Sequence, residues 1–350
     1  MAPRDRRKAL RRAAAVGLLL AVSTLGAADA SPAPAAFPGQ DGLIVFQSFR
    51  TGSSQIYTET VPPSPVRPLT NSRGCFALPA WSPDGRRIAY EYNPNAKGMP
   101  ARSSDIWVMN ANGKLRRRLT VTPGFDGDPA WSPDGKRIVF ESTRTGNSEI
   151  WVMNADGTSP RQLTRNPAFD GDPAWSPGGN RIAFTSERDR NKEIYLMNPD
   201  GSGLVNITNN PAEDFDPTWS PTGEYVAFVS NRDKNLELYE TNDRFLLKRL
   251  TNDPGTDAFP AWSPDNKWIA FSTDRGDAGN RDLFYMSAGG DTPGVNELTQ
   301  APGWDQAPDW QRKPASPAVG PPPSRPPKNL PHRDAKSDSQ PAIACTEKSK

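Results

Sequence analysis

The string Pro79 to Gly85, Pro-Ala-Trp-Ser-Pro-Asp-Gly, returns as Pro129 to Gly135 and, with small changes, at Pro173 to Gly179, Pro217 to Gly223 and Pro260 to Asn266. Its tryptophans, Trp81, Trp131, Trp175, Trp219 and Trp262, set a period in the forties. A short unit of this kind cannot bury an apolar face alone. It must stack against copies of itself, and a period in the forties built of short strands fits a β-propeller blade.

Apolar pieces and turn residues divide each unit into four strands. Strand one holds Pro-Ala-Trp and leads into a Ser-Pro-Asp-Gly turn, where Pro pre-sets φ and Gly accepts a positive one. Strand two is Ile44 to Phe46, Ile88 to Tyr90, Ile138 to Phe140, Ile182 to Phe184, Val226 to Phe228 and Ile269 to Phe271. Strand three starts at Ile56, Ile106, Ile150, Ile194, Leu238 and Leu283, and strand four is expected to end in the Leu-Thr or Ile-Thr pairs at Thr70, Thr120, Thr164, Thr208, Thr251 and Thr299. The first copy has no strand one ahead of it. Pro308, Asp309, Trp310 and Gln311 supply the missing piece after the last copy, so the C-terminal strand is expected to complete the N-terminal blade and close a ring of six.

These pieces resemble the TolB-type propeller repeat over residues 41–311, carried by Pro-Ala-Trp-Ser-Pro-Asp-Gly, Ile-Ala-Phe, Glu-Ile-Tyr and Leu-Thr. The resemblance implies an all-β, six-bladed propeller of four-stranded blades. Similar blades occur in TolB, in tricorn-type proteases and in the propellers of prolyl oligopeptidases, so it implies fold more than function. Where TolB carries an α/β domain before its propeller, this sequence has a short Pro/Ala segment, Ser31 to Gly39.

The expected organisation is a signal peptide over 1–30, a linker over 31–40, the propeller over 41–311 and a disordered, Pro-rich basic tail over 312–350. The leader has basic residues from Arg4 to Arg12 and an apolar run from Ala13 to Gly26, too short to span a bilayer. Arg6 and Arg7 form part of a twin-arginine signal. The chain is therefore expected to be exported to the periplasm, envelope or exterior, with no stable membrane insertion. Cys75 and Cys345 either pair there or stay free. The net charge is +2, with its basic excess at the two ends, which leaves a mildly acidic body and no case for nucleic acid.

The one histidine, His332, falls in the tail. With no Gly-x-Ser-x-Gly elbow either, a histidine-based triad or zinc site in the ring is excluded. The expectation is a non-catalytic, monomeric module that binds a protein or cell-envelope polymer. The alternative is an enzyme processing glycan or peptide in the channel.

Three repeated residue sets are candidates for function. The tryptophans are expected to pack between blades. Arg50, Arg144, Arg188, Arg232 and Arg275 follow strand two, and each is expected to pair with the residue opening strand three: Gln55, Glu149, Glu193, Glu237 or Asp282. Asp126, Asp170, Asp214, Asp257 and Asp305 stand three residues before the Pro of strand one, with Phe76 in the sixth place, and Asp128, Asp172 and Asp216 stand directly before it. Gathered at one channel mouth, those five aspartates would repel one another unless a hard cation such as Ca²⁺ compensates. Alternatively, each bonds backbone amides of its own loop.

Overall fold

In a computed structural model of the chain, described for residues 41–313 except 62, 64, 95–103, 243, 277–278 and 291–293, every regular element is a strand. The anticipated leader and linker, and the tail beyond 313, lie outside the described residues. Among these residues, no helix is long and apolar enough to cross a membrane.

Blade one begins with β1 (Asp41–Ser48), β2 (Gln55–Glu59) and β3 (Arg67–Pro68). Blade two is β4 (Cys75–Trp81), β5 (Arg87–Asn93), β6 (Asp105–Asn110) and β7 (Arg117–Arg118), and blade three is β8 (Asp126–Trp131), β9 (Arg137–Ser142), β10 (Glu149–Asn154) and β11 (Arg161–Gln162). Blade four is β12 (Asp170–Trp175), β13 (Ile182–Ser186), β14 (Glu193–Met197) and β15 (Val205–Asn206). Blade five is β16 (Asp214–Trp219), β17 (Val226–Ser230), β18 (Glu237–Thr241) and β19 (Lys248–Arg249), and blade six is β20 (Asp257–Trp262), β21 (Trp268–Thr273), β22 (Asp282–Ser287) and β23 (Val295–Glu297). The last strand, β24 (Asp305–Arg312), pairs with β1 and gives blade one its fourth strand. Each sheet is an antiparallel meander, and the first strands β4, β8, β12, β16, β20 and β24 touch in that order and close on one another.

The two middle strands of each blade explain the ring. Ile182–Ser186 and Glu193–Met197 are buried along their whole length. Strands covered on both faces read as continuous apolar runs instead of alternating ones. The covering comes from the neighbouring blades, so the core is divided among the interfaces. Val139, Ile150, Val152 and Leu163 of blade three pack on Trp175, Ile182, Phe184, Tyr195 and Met197 of blade four, and each of the other five boundaries holds an equivalent cluster. The tryptophans sit in these clusters as expected. Trp131, Trp219 and Trp310 also donate their indole N–H to a carbonyl of the preceding blade, that of Ala80, Ala174 and Ala261 respectively.

The Ser-Pro-Asp-Gly turn is fastened by its own side chains. In blade three the Ser132 hydroxyl accepts from the Arg137 amide at 2.9 Å and donates to Asp134 at 2.5 Å. Gly135 takes φ +67°, and a Cβ there would lie 3.4 Å from Pro83 of the preceding turn. The Leu-Thr pairs fall just past strand four, a correction to the expected boundary. β3 ends at Pro68, and the Thr70 hydroxyl instead accepts the Ile56 amide of strand three at 2.8 Å. Equivalent bonds join Thr164 to Ile150 and Thr251 to Leu238, both at 2.9 Å. A short outermost strand capped by its own threonine leaves little open edge.

The closing strand ties three blades together. Ile44 pairs with Trp310 and Val45 with Asp309 in register. The Gln311 side chain accepts from the Leu43 amide at 3.1 Å and donates to the Gly85 carbonyl of blade two at 2.7 Å. Trp310 packs with Ile44 and Phe46 against Ala261, Ala270 and Leu283 of blade six.

A chain ending at Thr299 is therefore expected to lose cooperative melting or aggregate, whereas one ending at Lys313 should still melt cooperatively, like a full-length Cys75→Ser variant, since both lack the Cys75 disulfide. Trp310→Ala should cost about 3–5 kcal/mol in urea unfolding, the usual range for emptying a core aromatic site. Similar melting of the two truncations would overturn the closure scheme.

Candidate functional site: the channel wall and its clamps

Strand one of every blade is broken by a bulge at the residue preceding its proline. The register between β8 and β9 slips between Gly127 and Ala130, and the same slip recurs in all six blades. Proline suits the bulge because it has no N–H to give to the ladder. The residue before it takes positive φ: Leu78 (46°), Asp128 (49°), Asp172 (50°), Asp216 (52°), Phe259 (54°) and Ala307 (51°). Such a conformation is uncommon for non-glycine residues, Asn and Asp tolerating it best.

The bulge sets the residues of the innermost strands around the axis. Asp128, Asp172 and Asp216 come from blades three, four and five, and the strand-two position opposite the bulge adds further acids. Gly127 pairs with Glu141, and Ala77 pairs with Glu91. Both carboxylates extend across a blade boundary. A Cβ on Gly171 would come within 2.5 Å of Glu141 Oε2, and one on Gly127 within 2.8 Å of Glu91 Oε2, so glycine makes the room. Ser148 donates to Glu141 at 2.6 Å and Ser104 to Glu91 at 2.7 Å. Oxygens of Asp128, Glu141 and Asp172 lie within 4.8 Å of one another, the only such acid trio among the described residues. Sequence reasoning missed Glu91 and Glu141. The available signal was a carboxylate inside an otherwise apolar middle strand, with a glycine at the matching place in the next blade.

Asp126, Asp170, Asp214, Asp257 and Asp305 occupy a different place. Each is the first residue of its strand one rather than part of a loop, and each is fully buried. Each meets the arginine that follows strand two of its own blade: Asp126–Arg144 at 2.9 Å, Asp170–Arg188 at 3.0 Å, Asp214–Arg232 at 2.9 Å, Asp257–Arg275 at 2.7 Å and Asp305–Arg50 at 2.7 Å. Their compensating charge is thus arginine, blade by blade. Burial still pushes Asp257 up to about 6, with Arg275 pulling it back, and raises Asp305 against the pull of Arg50.

The arginine partner corrects the expected pairing with the acid of strand three. Ser142 lies opposite both Asp126 and Glu149, and Arg144 turns toward Asp126. Its Nε donates to Ser142 Oγ at 2.8 Å, and its guanidinium lies 4.6 Å from the Trp151 ring and 5.2 Å from Phe140. Glu149 is occupied elsewhere, accepting from the Thr164 hydroxyl at 2.7 Å and the Asn166 amide at 2.9 Å. In blade two Phe76 replaces the aspartate, its ring tilted against that of Tyr92 with centroids 4.4 Å apart, beneath the Arg116 guanidinium. Cys75 opens β4 and is disulfide-bonded; the other cysteine, Cys345, lies outside the described residues.

Removing one partner of a buried pair leaves an uncompensated charge, so Arg188→Ala should cost about 3–5 kcal/mol in urea unfolding. Adding Asp170→Asn should recover part of that loss, because no carboxylate is then left stranded. Strict additivity of the two changes would show that the clamp contributes no coupling.

A family model described as the TolB beta propeller domain matches residues 27–170 and 165–244. The Tol-Pal system protein TolB of Francisella tularensis subsp. mediasiatica is 33% identical over 78 residues, which is 22% of this chain and 17% of that relative. The match thus spans less than a fifth of the curated relative. Among solved structures, TolB from Acinetobacter baumannii superposes with a TM-score of 0.68 at 23% identity, over 79% of this chain and 68% of that one. Hydrazine synthase of Kuenenia stuttgartiensis superposes with 0.64 at 15% identity, over 80% of this chain and 48% of that one. At these identities the likeness is one of fold. Because the family model accounts for more than half of its length, the chain belongs to the TolB beta propeller domain family.

Proposed function

We propose that this chain is an exported, non-catalytic propeller that binds a protein or envelope polymer through the acidic sector of its channel wall. The observation that carries this reading is the uneven lining. Glu91, Asp128, Glu141, Asp172 and Asp216 come from blades two to five, whereas blades six and one bring Phe259 and Ala307 to the corresponding bulge. A channel charged along one side attracts a cationic segment and orients it, since its charges gain only on that side. The curated relative is named for a Tol-Pal system, which supports a protein as the partner class. Export rests on the basic and apolar leader, and the non-catalytic reading on the absence of any histidine from the ring.

A divalent cation is the second occupant that the geometry favours. Asp126, Asp170, Asp214, Asp257 and Asp305 are already engaged by arginine, so Ca²⁺ would be held by Asp128, Glu141 and Asp172. Calcium accepts an all-oxygen set of flexible geometry.

The test uses Asp128→Asn, Asp172→Asn and Asp216→Asn together, because Asn tolerates the positive φ and only the charge is removed. With the full-length mature protein as bait on an envelope fraction, the wild type should enrich a partner at least about tenfold over the triple variant, one charge-assisted contact being worth about that much. Equal enrichment would rule out the acidic sector as the binding surface. Millimolar Ca²⁺ should raise the wild-type melting temperature over chelator, by the equivalent of about 2.7 kcal/mol at a hundredfold excess over Kd, and leave the variant unmoved. A flat response in both removes the cation.

A further inference from the structure

The hairpin that joins strands three and four turns at glycine in four blades. Gly113, Gly157, Gly201 and Gly290 take φ of +80°, +88°, +92° and +101°, and each donates its amide to the carbonyl three residues back. In blade five Phe245 fills that place. Its amide donates to the Asn242 carbonyl at 2.9 Å, and its φ is +58°. A bulky side chain in that conformation is a genuine outlier. A Cβ on Gly201 would come within 2.5 Å of the Leu163 carbonyl of the preceding blade, so the glycine hairpins lie close on their neighbours and the Phe245 hairpin cannot copy them. Packing does not repay the strain: Phe245 is 58% exposed, and Leu246 and Leu247 after it are exposed as well.

The same element carries most of the exposed apolar surface. Among the described residues the exposed large apolar side chains are Val121 and six others, and Leu115, Leu204, Val205, Phe245, Leu246 and Leu247 all lie on this hairpin or on the strand after it. These hairpins share one face of the ring with the turns that join strands one and two. Arg87 pairs with Asn110 and Val226 with Thr241 at that end of the blade, and the Ala111 amide donates to the Arg86 carbonyl at 2.8 Å. Blades two and five stand opposite each other in a ring of six, so Leu115 and Phe245 mark opposite edges of the face. Basic residues accompany both: Lys114, Arg116 and Arg117 beside Leu115, and Arg244 and Lys248 on either side of Phe245, Leu246 and Leu247. Lys248 pairs with Glu240, but Lys114, Arg116, Arg117 and Arg244 have no acid partner among the described residues. The chain also leaves the ring here. Gln311 bonds the Gly85 carbonyl, and from Arg312 to Lys350 the sequence holds eight Lys/Arg against three acids.

We propose that this face docks on the surface of a bilayer containing anionic phospholipid, with Phe245, Leu246 and Leu247 as the main anchor and Leu115 as a second one across the ring. A peptide would need its apolar contacts side by side, whereas two anchors at opposite edges are met together by a partner that is flat across the whole face. Apolar tips flanked by cations match the layering of such a surface. The side chains enter the boundary between headgroups and acyl chains, and Lys and Arg reach the headgroup phosphates. Each unpaired cation near an anionic leaflet strengthens binding about fivefold. Docking is peripheral, with the ring lying on the bilayer and no segment crossing it. The surface is separate from the acidic sector of the channel.

The experiment sediments the full-length mature protein, free of its apolar leader, with vesicles of phosphatidylcholine alone and of phosphatidylcholine mixed with phosphatidylglycerol. The wild type should partition onto the mixed vesicles and much less onto the neutral ones. Phe245→Gly with Leu246→Ser and Leu247→Ser should lower that partition at least about tenfold, three apolar side chains having lost their burial. The variant installs the glycine that four other blades carry, so it should melt no lower than the wild type. Arg244→Gln with Arg117→Gln should lower the partition about fivefold for each charge removed and reduce its salt dependence. Unchanged binding of the apolar variant would assign the affinity to the basic tail and overturn the proposal. Equal binding to both kinds of vesicle, or a wild type that stays in solution with either, would overturn it too, the latter outcome leaving the exposed hairpin to a protein partner.

Discussion

Apolar contact between neighbouring blades is the interaction on which the rest of the structure depends. No blade has a core of its own. Phe46, Phe140, Phe184, Phe228 and Phe271 are fully buried only because another blade lies against them. Burying such a side chain is worth about 1.5–3 kcal/mol. A row of blades with an open end would forfeit that term on two faces at once, which is why the chain's last strand returns to its first sheet. The ring is therefore cooperative in a way that an open stack of repeats need not be.

Covering both faces of every blade also buries the polar groups at its edges, and the repeat meets this with side chains that recur in step. Threonine hydroxyls accept the strand-three amides, serine hydroxyls close the inner turns, and arginines neutralise the aspartates that open strand one. The arginine is suited to the task because its planar fork bonds serine and aspartate while its face rests on aromatic rings. Blade two departs from the pattern with an aromatic group around Phe76, and the closing strand departs from it with Asp309. Both departures lie next to the seam between blades one and two. In a molecule built from near-copies, the positions where a copy differs carry the individuality of the protein.

The channel wall follows from the same geometry. A proline bulge in every innermost strand holds the residue before it at positive φ, a conformation that persists only where its surroundings enforce it. Three of those six positions carry aspartate, a residue that tolerates the strain, and the remaining three carry Leu78, Phe259 and Ala307. With Glu91 and Glu141 reaching through glycine-lined gaps between blades, the result is a polarised lining rather than a symmetric ring of charge.

The fold was legible in sequence because a propeller blade is local: each strand, turn and apolar run lies within one repeat, and the missing first strand of blade one is visible as the extra Pro-Asp-Trp at the end. The core was legible for the same reason, since a continuous apolar strand must be covered on both sides. Which charged side chains meet was not. Asp126 and Glu149 flank Ser142 equally in the pairing register, and only the competing bonds of Thr164 and Asn166 to Glu149 leave Arg144 to Asp126. Glu141 and Asp172 belong to different blades and approach because the ring closes and Gly171 leaves space. Sequence alone therefore determined the blade, its number of copies and the strand that closes them, all of which depend on short-range patterns. Tertiary structure alone decided which carboxylates are neutralised and which line the channel, because that depends on distances between side chains that no repeat period encodes.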